Sequence, residues 1–303
     1  MPGTRDDADT GTPDVSVAVC GLGLMGLPIA FRLLAAGYRT IVWNRSQDRV
    51  RSAAERGAEV APTPAEAAAR ADLVLTLLAS PEALFEVVFG AAGVACAAPK
   101  ALAQAGTIAC ADMTALAARL PDGWDLLDTP VAGSVPQAAQ GGLRLLVGAD
   151  DEVFARWSPV LARLGKPVHI GPVPNGSALK QVLNAANAPM VALLAEAVAL
   201  GERLGLDRAL LLDELERSRI GALIRRKRAM VETGRYPADS RLGLFAKDMR
   251  LARLAGEAAG APMTMVAAAL ALAEDAVAAG LADLDYSALV GYRLGHIRGG
   301  PCG

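Results

Sequence analysis

The chain has 303 residues, 53% hydrophobic but only 4% aromatic, enough for two domains of ordinary size with cores built mainly from Ala, Leu and Val. Thirty Lys plus Arg against 32 Asp plus Glu give a formal charge of -2, without the basic excess that nucleic acid or an anionic membrane calls for, so a small-molecule ligand is expected and no nucleic-acid partner. Cys20, Cys96, Cys110 and Cys302 show no C-x-x-C spacing and stand far in sequence from His169 and His296, which argues against a disulfide framework and against a metal site.

Residues 1–14, "MPGTRDDADTGTPD", are polar and acidic, with no basic or apolar leader pattern; they are predicted as a disordered tail on a cytoplasmic protein. Over 15–175 short apolar runs alternate with Ala/Leu-rich helical segments, the strand candidates being "VSVAVC", "TIVWN", "LVLTLL", "TIAC", "LLDTPV", "LRLLVG" and "PVHIG". Strands separated by helical crossovers predict an α/β, Rossmann-like, doubly wound and mainly parallel sheet. From Ser177 strand signals vanish: a long interdomain helix is predicted over 176–205, an all-helical C-terminal domain over 206–296, and a tail over 297–303. Loops are expected at 204–207 and 233–241, with a helix break at 260–262. The most apolar stretches, 185–200 and 263–279, contain Glu196, Glu274 and Asp275 and are predicted as buried helices, not membrane spans.

Gly21-Leu22-Gly23-Leu24-Met25-Gly26 fits G-x-G-x-x-G between a predicted strand and a predicted helix. Gly21 permits a tight turn, Gly23 lets the backbone approach a pyrophosphate, Gly26 lets helix and strand pack closely, and the helix N-terminus offers free N–H groups to the anion. The next strand ends on Asn44-Arg45-Ser46, where an NAD-preferring domain carries an acid for the ribose 2′-hydroxyl. An amide, a guanidinium and a hydroxyl suit a 2′-phosphate instead, so NADP(H) is the expected cofactor; the alternative is a solvated arginine at a strand end.

Gly133-Ser134 falls in a loop after a predicted strand, a set of backbone donors for a carboxylate or simply a turn. Lys180 and Asn184, at i and i+4 on the long helix, share a face, as do many solvated pairs. Asp112 is placed to cap the helix that follows it. His169, at a strand end, and His296, in the tail region, are expected to be structural or solvated.

Together "GLGLMGLPIA", "DTPVAGS", "NGSALKQVLN", "FAKDMRLA" and "DLDYSALV" stand in an order that resembles the β-hydroxyacid (3-hydroxyisobutyrate-type) dehydrogenase family, and within it the glyoxylate/succinic-semialdehyde reductase branch. The resemblance spans 15–294. It implies an NADP(H)-dependent dehydrogenase or reductase in which Lys180 is the catalytic proton donor, Asn184 hydrogen-bonds substrate and Gly133 with Ser134 holds its carboxylate. Lys247, beside cofactor and substrate, and Asp248 would close the site from the helical domain, Asp248 serving either chemistry or the orientation of Lys247. A homodimer or homotetramer is implied as well. Three departures stand out: Ala132 where the family carries Ser, Thr114-Ala115 for a Ser-Thr pair expected near the nicotinamide, and Pro189 inside the long helix, which clashes one turn back at Ala185. Both alanines predict a less polar pocket and a bulkier carbonyl; Pro189 predicts a kink beyond Asn184. Imine-reducing relatives share the glycine motif and the Trp-Asn-Arg-Ser ending but generally lack the lysine, so Lys180 favours carbonyl chemistry over imine reduction and over a non-catalytic dinucleotide-binding scaffold.

Overall fold

The computed structural model describes residues 15–297; the tail predicted over 1–14, Cys302 and the rest of 298–303 lie outside them. Nine strands form one sheet: β1 (Ser16–Cys20), β2 (Arg39–Trp43), β3 (Glu59–Val60), β4 (Leu73–Thr76), β5 (Ala101–Gln104), β6 (Asp125–Asp128), β7 (Val131–Ala132), β8 (Leu143–Gly148) and β9 (Gly165–Gly171). Their order is β3-β2-β1-β4-β5-β6-β8-β7, with β9 on β8. From β3 to β6 every pairing is parallel; β8 runs antiparallel to β6 and β7. β4 and β5 are buried along their whole length, as parallel strands covered on both faces must be. One layer packs α1 (Gly26–Ala35), α6 (Val135–Gln140) and α7 (Asp151–Leu161) on the sheet through Ile29, Leu33, Ala138 and Leu161. The other packs α3 (Pro64–Ala69), α4 (Pro81–Phe89) and α5 (Cys110–Arg119) through Ala67, Leu84, Met113 and Leu116.

One predicted strand is displaced. "TIAC" is the loop after β5 running into α5, and the strand is Ala101–Gln104. Its Ala-rich sequence has little intrinsic preference for extended structure; pairing with β4 and β6 on either side imposes it. α2 (Gln47–Ala54) and the two-residue β3 complete the edge.

α8 (Asn175–Arg203) leaves the sheet and becomes the spine of a helical domain with α9 (Arg208–Glu216), α10 (Gly221–Thr233), α11 (Leu242–Ala258), α12 (Thr264–Ala276) and α13 (Ala288–Leu294). Its first turn docks on the sheet because Gly176 has no side chain: a Cβ there would stand 2.3 Å from the Asp128 carbonyl and 2.4 Å from that of Leu146. Asp128, buried at the end of β6, accepts from the Ser177 N–H and hydroxyl, both at 2.6 Å. Gln181 donates to the Ile108 carbonyl at 3.2 Å. The kink predicted at Pro189 does not interrupt the helix, because Val191, Leu194, Ala195 and Val198 bury the half beyond it in the helical core. α8 and 264–281 are long and apolar enough to cross a membrane by length and composition, and their apolar faces supply that core. Ile297, assigned to the tail from sequence, packs against it too.

Candidate active site

The chain reverses its winding between β1 and β4, and the crevice at that point lies beyond the C-terminal strand ends, where doubly wound sheets bind ligands. Three loops line it: Gly23–Gly26 after β1, Leu77–Ala79 after β4 and Ala105–Thr107 after β5. Gly21 holds φ +106°, and a Cβ there would strike the Leu77 carbonyl at 2.4 Å; a Cβ on Gly26 would lie 1.8 Å from the Gly21 carbonyl. At Gly23 a Cβ would meet nothing within 4 Å. The two outer glycines thus serve the packing of the turn, and the middle one borders open space into which a pyrophosphate fits.

Leu22 is fully buried and donates its N–H to Asn44 Oδ1 at 2.9 Å, while Asn44 Nδ2 donates to the Ser46 carbonyl at 3.0 Å. Asn44 therefore ties the second strand end to the glycine turn, a positioning role that the sequence reading, which offered its amide to a 2′-phosphate, did not anticipate. Arg45 and Ser46 are exposed at the N-terminus of α2, and the Ser46 hydroxyl makes no capping bond, so a guanidinium, a hydroxyl and a helix N-terminus share one corner.

Two cavities meet beneath the crevice. The first, of about 230 Å³, is bounded by the three loops together with Gly133, Asp239, Ser240, Arg241, Lys247 and Asp248. The second, of about 330 Å³, runs along α8 past Leu183, Asn184, Asn187 and Met190, and is closed by Ala132, Phe245 and Tyr286. Lys180 lines both. Burial holds its ammonium below the ordinary lysine pKa, with the charge of Asp248 pulling upward and that of Lys247 downward. A buried lysine shifted in this direction suits proton exchange with a reacting oxygen. Asn184, on the same helical face, buries an Nδ2 that has no partner among the described residues, a donor that a substrate oxygen would satisfy.

The other predicted residues sort unevenly. Gly133 lines both cavities, with φ +154°. Ser134 lines neither: its N–H and hydroxyl both donate to Gln137 Oε1, at 2.9 and 3.0 Å, which caps α6 and takes up the donors assigned to a carboxylate. Lys247 lines only the cofactor-side cavity, reaching across the domains to the Thr107 carbonyl at 2.7 Å and standing 3.1 Å from Asp248, which lines both. Thr114 and Ala115 are exposed, because α5 turns Met113 and Leu116 inward, so Ala115 does not make the pocket less polar. The threonine at this end is Thr107. Asp112 does bind the start of its helix, accepting from the Ala109 N–H at 3.3 Å. His169 Nε2 donates to the Ala149 carbonyl at 2.8 Å, the ring stacks on Phe154, and the residue lines neither cavity.

Sequence reasoning missed Ser240, Phe245, Tyr286 and Arg226 in the site walls. Ser240 and Tyr286 are held by a buried ion pair: Lys227, wholly buried, lies 2.9 Å from Asp285, which also accepts from the Ser240 N–H at 3.0 Å and the Ser287 hydroxyl at 2.7 Å. Burial pushes the Asp285 carboxyl up, but Lys227 and Ser287 more than offset it, leaving its pKa below the usual value. The only sequence signal for this arrangement is a lysine among apolar neighbours at helical spacing. Among the described residues no cluster of His, Cys, Asp or Glu suits a metal, and Cys20, Cys96 and Cys110 are free.

A glycine cradle for a dinucleotide and a second chamber, joined at a buried lysine, define a site that brings a nicotinamide and a small molecule together. Residues 16–171 match the family described as the NAD binding domain of 6-phosphogluconate dehydrogenase, and 175–293 that described as NAD-binding of NADP-dependent 3-hydroxyisobutyrate dehydrogenase. Over 294 residues the chain is 32% identical to the chloroplastic glyoxylate/succinic semialdehyde reductase 2 of Arabidopsis thaliana, covering 95% of this chain and 81% of that one. The 3-hydroxyisobutyrate dehydrogenase of Salmonella typhimurium superposes with a TM-score of 0.84 at 28% identity, over 92% of this chain and all of that one. A reductive aminase from Aspergillus terreus shares the fold at a TM-score of 0.62 and 22% identity, covering 92% of this chain and 99% of that one. The chain belongs to the 3-hydroxyisobutyrate dehydrogenase family of NAD(P)-dependent oxidoreductases.

Proposed function

We propose that the protein is an NADPH-dependent reductase of carbonyl acids, of the semialdehyde or β-hydroxyacid type, with Lys180 as its proton donor. The observation that carries this is the place of Lys180 at the junction of the two cavities. The bound cofactor supplies the hydride. As the carbonyl carbon accepts it and negative charge grows on oxygen, Lys180 Nζ stabilises that charge and gives up a proton, leaving a hydroxyl and a neutral lysine that reloads from solvent; oxidation reverses these steps. Asn184 Nδ2 orients the substrate, and Lys247 braces the helical domain against the Thr107 loop. Arg45 and Ser46 at the N-terminus of α2 support the preference for NADPH. The relatives named for glyoxylate/succinic semialdehyde and for 2-(hydroxymethyl)glutarate act on carbonyl or hydroxy acids, in keeping with this reading. Imine reduction finds no separate support, since the reductive aminase shares the fold alone and Lys180 has a natural task in carbonyl reduction.

The chain also pairs with itself in this reading, as a homodimer or homotetramer. Leu193, Leu200 and Leu204, 53%, 61% and 70% exposed on and just after α8, support an apolar face that a second copy covers. Sedimentation of the full chain tests that, a monomer refuting it. The enzymatic reading is tested by following NADPH oxidation over carboxyl-bearing aldehydes, ketones and cyclic imines. Turnover of carbonyls and not imines is the expected result; the opposite pattern overturns the proposal.

A further inference from the structure

The second cavity is longer than a two-carbon substrate needs. Its α8 wall runs from Lys180 to Val191, eleven residues, or about 16 Å of helix. α10 forms part of the facing wall through Ala222, Leu223 and Arg226. Lys180 lines both cavities, whereas Arg226 lines only this one and not the cofactor-side cavity.

Arg226 differs from its neighbours in charge pairing. Arg225 stands 3.9 Å from Glu216, Lys227 2.9 Å from Asp285 and Arg228 2.7 Å from Asp213. Arg226 has no carboxylate or hydrogen-bond partner among the described residues, although it lies in the wall of a cavity and near enough to act on Tyr286: burial pushes that phenol up to about 12 against the pull of the Arg226 charge. At the reacting end Ala132 has no hydroxyl and both donors of Ser134 are spent on Gln137, while Lys180 and Asn184 are assigned to the carbonyl. Leu183, Met190, Val191, Leu223 and Phe245 supply apolar wall between the two ends, interleaved with Asn187 and Ser240. Arg226 is exposed in the wall of this cavity, and a planar guanidinium without a protein partner matches a carboxylate in shape and charge.

We propose that Arg226 binds the carboxylate of the substrate, so that the preferred substrates are carbonyl acids in which several methylenes separate the two groups, in place of 2-oxo acids such as glyoxylate. The inference rests on the carbonyl-reductase reading above and adds the polarity and length of the substrate to it.

The test uses the full chain with NADPH and four probes: glyoxylate, succinic semialdehyde, adipic semialdehyde and the methyl ester of adipic semialdehyde. The unmodified protein should show kcat/KM for the adipic acid probe about tenfold or more above that for its ester, and above that for glyoxylate. Arg226→Gln should lower the acid-to-ester ratio by about tenfold or more, and Arg226→Lys should restore part of it. An acid-to-ester ratio that Arg226→Gln leaves in place, or a clear preference for glyoxylate, overturns the role of Arg226 while carbonyl reduction itself stands. A shift in NADPH dissociation constant matching the loss would place Arg226 on the cofactor and overturn it equally. Failure of the unmodified protein to reduce any of the four overturns the carbonyl-reductase reading and this inference with it.

Discussion

Replacing Lys180 with Met keeps most of the volume of the stem and deletes the ammonium at the junction of the two cavities. Because burial lowers the pKa of this lysine in the fold below its ordinary 10.5, the folded state holds that proton less tightly than the unfolded chain does. The contribution to stability therefore rises with pH between the lowered value and 10.5, and near neutrality the charged lysine is a cost to the fold. Lys180→Met removes that cost, so the thermal midpoint should stay level or rise. Turnover moves the other way: general acid catalysis contributes about 10²–10⁴-fold, and losing a cation beside the forming alkoxide adds to the deficit. A fall in kcat of at least about 100-fold is the expected result, with NADPH affinity by fluorescence titration nearly unaltered because the glycine turn lies on the other domain. Reduction needs the protonated lysine, so the pH profile of the unmodified enzyme should descend below the ordinary lysine pKa, and Lys180→Arg should move that limb to higher pH. A Met variant that keeps more than about a tenth of its turnover, or whose activity falls only in step with its stability, refutes the assignment.

Arg45→Ala should erase most of the difference between the NADPH and NADH dissociation constants, about tenfold or more if one charge-assisted bond is lost; equal constants in the unmodified protein would refute the 2′-phosphate site. Gly176→Ala forces a methyl onto two carbonyls at 2.3 and 2.4 Å, so α8 must shift on the sheet, with a destabilisation of about 1–3 kcal/mol in denaturant melts and a loss of kcat as Lys180 moves; an unchanged midpoint would show that the close approach is slack. Asp128 is pushed by burial up to about 6 from 3.8, so its fold-stabilising contribution is full below the unfolded value and lost as pH rises through the folded one. Asp128→Asn lacks this dependence, and its stability relative to the parent should rise by up to about 3 kcal/mol between pH 4 and 7, a trend that pH-resolved denaturant melts would detect or exclude.

What the sequence determined by itself was whatever depends on neighbours along the chain. The turn from Gly21 to Gly26 was legible because each glycine answers a backbone requirement set within a few residues, and α8 with Lys180 and Asn184 on one face because helical spacing alone decides it. Tertiary structure decided the rest. Ala101–Gln104 is a strand only because β4 and β6 flank it, and Asn44 serves the glycine turn only because β1 and β2 pair in the register that brings it to Leu22. Thr114 and Ala115 needed the orientation of α5 before they could be placed outside the pocket, and Ser134 needed Gln137 before its donors could be counted as used. Arg226, Phe245 and Tyr286 enter the site because α10, α11 and the turn before α13 fold back on α8. A cavity is the space left between packed elements, so its walls, and the charges that have no partner within them, exist only once distant segments have met.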